Sequence, residues 1–335
     1  MTSTKVLGID IGGANIKYAT SDGQCLDRIF PMWQTPDALA EALACDLQRF
    51  SDCQQIAVTM TGELADCFQD RRQGVIHICD HVRQACEGRE IWVYGVDGCF
   101  HEIDQATKSA DLVAAANWHA LANWTAARWN DACLLVDIGS TTTDLIPLAG
   151  GRVSTDARTD FDRLSCGALV YVGCRRTPVC ALVNQLDMGS QSVPVMNEVF
   201  ATIDDALIIL GLTQAEEHDC ETADHQPRTV RHATNRLARM IGLDHRSVSE
   251  SQSLALADQV LTAARQRISR GLKRQRGSAD WKHVVVSGHG EALLPVGWWQ
   301  HQTNLADQLG PTVARCAPSF AVANLLAGQR HFVVR

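Results

Sequence analysis

Short apolar runs that stop at glycine or aspartate alternate along this chain with longer stretches whose apolar residues recur at helical spacing. The short runs cover residues 6–11, 56–60, 91–94, 134–136, 145–148 and 284–287, with a further extended segment at 24–31. Runs of this length, bounded by turn residues, predict buried strands. Between them, Leu39, Leu43, Leu47 and Phe50 predict an amphipathic helix over 37–50. An alanine-rich stretch predicts one long helix over 106–129, and further helices are expected at 234–241, 253–270 and 317–327. Strands alternating with helices point to an α/β fold.

Two of the strands carry the same sentence. The first reads Asp10-Ile-Gly12-Gly13-Ala-Asn15-Ile-Lys17, the second Asp137-Ile-Gly139-Ser140-Thr141-Thr142-Thr143-Asp144, 127 residues later. Each is a buried strand ending in acid-x-Gly, then a tight turn, then a second apolar strand. Such a hairpin presents turn N–H groups and, in the second copy, four hydroxyls to one point, which suits a phosphate oxygen. The carboxylate repels phosphate but can hold a metal ion that bridges to it. Repetition at domain-sized spacing implies a duplicated, two-lobe protein. The expected division is a first lobe over 1–130 and a second over 131–317. A polar, helix-rich insertion is expected at about 185–282, and a final helix over 318–335 returning to the first lobe.

Other positions offer chemistry. Thr61-Gly62-Glu63 ends a strand, where α/β proteins place ligands, although Glu63 reads equally well as a surface loop residue. Arg175 and Arg176, beside Gly173 and Thr177, form a pair able to clamp an anion. Ser287-Gly288-His289-Gly290 follows a buried strand and reads as a glycine turn at a helix start, an anion or ribose site. His77, Cys79 and His81 would face one side of a strand as zinc ligands, but read more simply as a polar edge or helix start. Asn117 and His119 read as polar groups at a helix interface, and His218, Asp219, Asp224 and His225 as a solvated loop rather than a metal site.

Composition narrows the class. The 335 residues are 46% hydrophobic and 20% charged, enough for two full cores. The net charge of −8 argues against a nucleic-acid or anionic-membrane partner. No run has the length of a membrane span, and residues 1–5 lead into a strand without a signal-peptide core, so a cytoplasmic protein is expected. Thirteen scattered cysteines, with no Cys-x-x-Cys pair, read as small buried hydrophobes. There is no Gly-x-x-x-x-Gly-Lys-Ser/Thr loop, which excludes a P-loop fold.

Two acid-Gly hairpins plus a late strand-Ser-Gly-x-Gly turn resemble the superfamily of sugar kinases, actin and heat-shock chaperones. The resemblance implies an actin/sugar-kinase-like, duplicated ribonuclease-H-like α/β fold with two lobes facing across a cleft. The wording is closer still to a hydantoinase/oxoprolinase-related branch, carried by Met60-Thr-Gly-Glu-Leu-Ala-Asp66, Ala114-Ala-Ala-Asn-Trp118, Arg176-Thr-Pro-Val179 and Thr222-Ala-Asp224 besides the hairpins. That branch includes a tetrahydromethanopterin-linked one-carbon protein of methylotrophs and is similar to an archaeal synthase of methanofuran biosynthesis. The resemblance implies a transferase joining a phenolic acceptor, such as γ-glutamyltyramine, to an aminomethylfuran-methyl diphosphate with release of diphosphate.

On that reading Asp10 and Asp137 hold Mg²⁺. Gly12, Gly13, Asn15, Lys17, Gly139, Ser140, Thr141, Thr142, Thr143 and Arg176 bind the diphosphate. Asp137, Asp144 and Glu63 carry the chemistry, the last two as candidate bases, and Ser287, Gly288, His289 and Gly290 line the late loop. ATP is not expected. Asn15 and Lys17 stand where the family's first loop has Thr-x-Thr-Asp, and a cation there suits a diphosphate leaving group. The alternatives are an ATP-dependent small-molecule kinase, a hydantoinase/oxoprolinase-type hydrolase, and a nucleotide-gated binding protein. The sequence is compatible with a homo-oligomer.

Overall fold

A computed structural model describes residues 5–129, 131–276, 281–295, 297 and 299–329. Residues 1–4, four residues of the expected insertion (277–280), and residues 330–335 of the expected final helix lie outside them.

The first lobe runs β1 (Val6–Ile11), β2 (Asn15–Thr20), β3 (Cys25–Ile29), α1 (Leu39–Leu47), β4 (Gln55–Met60), α2 (Arg71–Ala85), β5 (Glu90–Tyr94), β6 (Phe100–His101), α3 (Ile103–Lys108), α4 (Ala110–Val113) and α5 (Asn117–Ala126). The second begins with β7 (Cys133–Ile138), β8 (Thr143–Ala149), β9 (Arg152–Val153), α6 (Asp160–Cys166), β10 (Leu169–Val170) and α7 (Val179–Leu182). It continues through β11 (Gln185–Met188), β12 (Gln191–Pro194), α8 (Ile203–Ile209), α9 (Val230–Arg239), α10 (Glu250–Arg276), β13 (His283–Gly288) and β14 (His301–Asn304). Helices α11 (Leu305–Leu309), α12 (Pro311–Arg315) and α13 (Ala317–Gln329) end the described chain.

The first sheet has the order β3-β2-β1-β4-β5-β6, the second β10-β8-β7-β13-β14. In both, an antiparallel hairpin (β1–β2, β7–β8) is extended by two parallel strands (β4–β5, β13–β14). The same five-strand plan therefore occurs twice, which is the duplicated two-lobe α/β fold. The hairpins are equivalent to the residue: Lys17 lies opposite Asp10, and Asp144 lies opposite Asp137.

Three cores hold the lobes. One fills the first lobe around β1, β4, α1 and α2, and a second joins the second sheet to α8, α9 and α10. The third lies between the sheets and is built by α5 and α13 with Tyr94, Leu135, Ile146 and Val285. Helix α13 packs directly on β1. Its approach requires Gly8, since a Cβ there would sit 1.9 Å from the Ser319 carbonyl oxygen. No helix among the described residues is long and apolar enough to cross a membrane.

Three expectations are corrected. The single helix over 106–129 is broken into α3, α4 and α5. Ala115 between the last two takes φ +47, a conformation L-residues rarely adopt, so local helix propensity is overridden there. The segment 77–81 is not a strand but the middle of α2, with Cys79 buried away from the two histidines' face. Helix α2 is capped by Asp70, whose side chain accepts from the Gln73 amide at 2.8 Å. The cysteines are all free thiols and divide by place: six are buried, but Cys45, Cys67, Cys99, Cys166 and Cys220 are exposed. Burial pushes the Cys79 and Cys86 thiols up to about 12, so these behave as inert core residues.

Candidate active site

The two hairpin turns face each other across one cleft of about 420 Å³. Both turns are closed alike, Gly12 N–H to Asn15 O and Gly139 N–H to Thr142 O, each at 2.9 Å. The amides of Gly13, Ala14, Ser140 and Thr141 are left with no acceptor among the described residues. Both turns line the cleft and so give it two sets of free donors, which suits a doubly anionic ligand.

Each turn is backed by a second loop that delivers a side chain. Behind the first turn, Phe30 N–H bonds Ala14 O and Met32 N–H bonds Gly13 O, which carries Trp33 to the cleft. Behind the second, Ser140 O accepts from the Arg175 and Arg176 amides, and Arg176 enters the cleft. The two side chains meet, with the guanidinium 5.3 Å from the Trp33 ring centre. The expected arginine pair is thus divided. Arg175 turns away to Asp219 at 2.9 Å and Asp204 at 3.7 Å.

Six carboxylates line this cleft, the four expected ones together with Asp66 and Asp160. Asp10 is buried with Oδ1 lacking any hydrogen-bond partner. Burial raises it to about 6, opposed first by the charge of Lys17 and then by the nearby Asn117 side chain. Asp137 is raised by burial and held down by Ser287, opposite it on β13, and by Lys17. Lys17 therefore acts on both acids. Asp144 is raised to about 6 by burial although Arg163 bonds it at 2.6 Å. Glu63 is buried and raised to about 7 by desolvation, which its own amide, Arg71 and the Ala115 amide oppose. Its Oε2 has no partner. The unusual φ of Ala115 goes with this contact, backbone strain placed at a functional cleft. Gly62 and Gly74 let neighbouring backbone approach the Glu63 loop; a Cβ on Gly74 would lie 2.0 Å from the Glu63 carbonyl oxygen.

Most expected site residues line this cleft: Asp10, Gly12, Gly13, Asn15, Lys17, Glu63, Asp137, Gly139, Ser140, Thr141, Thr142, Asp144, Arg176, Gly288 and His289. Thr143 does not, because its hydroxyl is buried and donates to Val172 O at 2.7 Å. Asn15 lines the wall, but its side-chain amide is engaged by Asp27 at 3.2 Å. In the late turn only Gly288 and His289 reach the cleft, and Gly290 packs against Ile138. The expected helix after it is a three-residue 3₁₀ turn, too short to act as a helix end. His289 Nε2 and Ser140 Oγ lie 3.2 Å apart, joining the late turn to the second hairpin.

Asn117 lines the cleft, while His119 is buried against Tyr94 Oη at 3.0 Å. Sequence reasoning missed Trp33, Trp118, Tyr171 and Arg163, all cleft-lining. The loop at 218–225 does not gather into a metal site: Asp219 is taken by Arg175, and Asp224 by Arg236 and Arg239.

Asp10 gives a testable sign. Its folded pKa of about 6 exceeds the ordinary 3.8, so the folded chain binds this proton more tightly than the unfolded chain does. Its contribution to stability is present at low pH and is lost as pH rises through roughly 4 to 6. Near 1.4 kcal/mol per unit, the loss is of order 3 kcal/mol. Asp10→Asn is therefore expected to melt higher than wild type at pH 8 without divalent ions, and at a similar temperature near pH 4. Equal melting at both pH values would remove the claim that a strained, buried charge sits there.

Comparison with known proteins places this chain. A sequence model described as hydantoinase/oxoprolinase matches residues 54–329. A protein of Methanocaldococcus jannaschii is 33% identical over 329 residues, 97% of this chain and 98% of the relative. One of Methanococcus vannielii is 28% identical over 204 residues, 59% of this chain and 91% of the relative. Both are named (4-{4-[2-(gamma-L-glutamylamino)ethyl]phenoxymethyl}furan-2-yl)methanamine synthase. Among solved structures, a ROK hexokinase of Thermus thermophilus is similar over 97% of this chain and 99% of its own, at 17% identity and a TM-score of 0.46. A ROK family glucokinase of Streptomyces griseus, in complex with glucose and AMPPNP, is similar over the same shares, at 15% and 0.48.

Proposed function

We propose that this chain, which belongs to the hydantoinase/oxoprolinase family, is the transferase that forms the aryl ether of methanofuran biosynthesis. It is an enzyme, and its relatives' printed name contains the bond in question, a phenoxymethyl link to a furan. The phenol oxygen of γ-glutamyltyramine, or a related acceptor, attacks the methyl carbon of an aminomethylfuran-methyl diphosphate. The carbon–oxygen bond to diphosphate breaks, the electron pair leaves with diphosphate, and the phenol proton passes to a base.

The observation that carries this reading is the pair of hairpin turns with unpaired amides lining one cleft, with Lys17 acting on both Asp10 and Asp137. As diphosphate departs, negative charge grows on its oxygens. Fixed donors aimed at that charge act most strongly in a buried site. Arg176 adds a planar fork suited to a phosphate. Glu63, held near neutrality in its pKa, is the better base of the two expected, because Asp144 is bonded to Arg163. Trp33, Trp118 and Tyr171 supply aromatic walls for the furan and phenol rings.

The donor set also fits Mg²⁺. Asp10 Oδ1 is a buried hard oxygen with no partner, and Asp137 stands on the equivalent strand of the other lobe. Two carboxylates suit an ion that otherwise keeps water and phosphate oxygens as ligands. Bound there, the ion would neutralise diphosphate charge.

A thermal-shift titration separates this reading from an ATP-using one. A ligand that binds the native state alone raises the melting temperature with its affinity. Mg²⁺ with diphosphate is expected to raise it, and Mg²⁺ with ATP is not. A shift with ATP alone would transfer the cleft to a kinase, hydrolase or nucleotide switch.

A further inference from the structure

Helix α2 carries a set of donor atoms that the proposed reaction does not use. His77 and His81 stand one turn apart, so their side chains share a face. The 3₁₀ turn Pro36–Ala38 brings Asp37 to the same face, and one ligand atom from each of the three lies within 4.8 Å of the others. No other three such residues come together in this way among the described residues. None of them lines the cleft.

The hydrogen bonds leave the two imidazoles in ligand form. His77 Nε2 lies 3.1 Å from Pro36 O, and His81 Nδ1 lies 2.8 Å from His77 O. A carbonyl oxygen only accepts, so each of these nitrogens carries the ring's proton. In the neutral rings that leaves a lone pair on His77 Nδ1 and on His81 Nε2. A histidine that donates its other N–H to a backbone carbonyl is the usual partner of a bound metal, because the bond fixes tautomer and orientation. The rings lie 3.9 Å apart, and Phe68 packs 5.0 Å from His77. The rings are tilted by 31° to each other, and a cation bound at the two free lone pairs displaces no ring proton.

We propose that Asp37, His77 and His81 form a binding site for a first-row divalent transition ion of the Zn²⁺ class. Two imidazoles and a carboxylate suit Zn²⁺, Co²⁺ or Ni²⁺, whereas Mg²⁺ prefers oxygen alone. The fourth position is left to water. Zinc–nitrogen bonds of about 2.0–2.1 Å draw the three donors inward from their present spread. The ion clips the turn that follows Trp33 to α2. It acts on the first lobe independently of the cleft's own phosphate and Mg²⁺ chemistry.

Titration with Co²⁺ tests this on the full chain, since its visible spectrum reports ligand type. Wild type is expected to bind about one Co²⁺ per chain with no thiolate charge-transfer band, and Zn²⁺ is expected to displace it. His81→Ala and Asp37→Asn should weaken binding by at least the roughly 10–100-fold seen when only an outer-sphere partner is lost. Asp37 is exposed, so its variant should melt like wild type without metal, and loss of binding there is not unfolding. Absence of Co²⁺ binding to wild type would overturn the site. So would a thiolate band with equal affinity in both variants, which would assign the ion to the exposed cysteines instead.

Discussion

Asp137→Asn is expected to remove turnover, by at least the 10²–10³-fold that loss of one charge-stabilising group produces, while the protein melts at or above the wild-type temperature. The two halves of this result have one cause. Burial already disfavours the Asp137 charge, and Ser287 and Lys17 only partly offset that. An amide of the same shape relieves the desolvation penalty without changing volume. The hairpin should hold, because Asp137 is fixed in β7 by the ladder to β8 and β13. The function should not, because the neutral side chain no longer supplies the anionic oxygen opposite Asp10. Turnover, apo melting temperature and the Mg²⁺–diphosphate shift are measured on one preparation. A variant that turns over at the wild-type rate would refute any role for Asp137 in the reaction.

The origin of that site in the sequence is uneven. The hairpins were legible because each combines an unbroken buried run with acid-x-Gly, and the alignment of Lys17 with Asp144 is reproduced in the strand registers. Burial and turn chemistry are local, so they show in sequence. Arg163 is different. It is nearly fully buried, bonds Asp144 nineteen residues earlier, and lies 4.4 Å from the Trp118 ring. Nothing near Arg163 in the chain marks it as other than a loop cation, because its partners come from two other segments. Arg175 and Arg176 make the same point, adjacent in sequence yet pointed to opposite sides of one loop. The alanines at 114–116 mislead outright. Their propensity favours continuous helix, but Ala115 is turned out of it, with its amide toward Glu63.

Glu63→Gln is expected to lower kcat by about 10²–10⁴-fold, the usual contribution of a positioned base, and to change the shape of the pH profile. A phenol with pKa near 10 is almost wholly protonated at neutral pH, so its attack needs a proton acceptor. Glu63 can accept only when ionised, and burial raises its pKa from 4.5 to about 7. Wild-type kcat should therefore rise with pH and level off above about 7, and the variant should lack that rise. The stability sign runs the other way. Because the folded pKa is the higher one, the Glu63 contribution is lost as pH rises through about 4.5 to 7, and the glutamine variant should melt no lower than wild type at pH 8. An acceptor bearing an electron-withdrawing ring substituent, already ionised at neutral pH, should recover much of the lost rate. If the variant keeps both the wild-type rate and the rise near pH 7, the base lies elsewhere, and Asp144, raised to about 6 and bonded to Arg163, becomes the residue to replace.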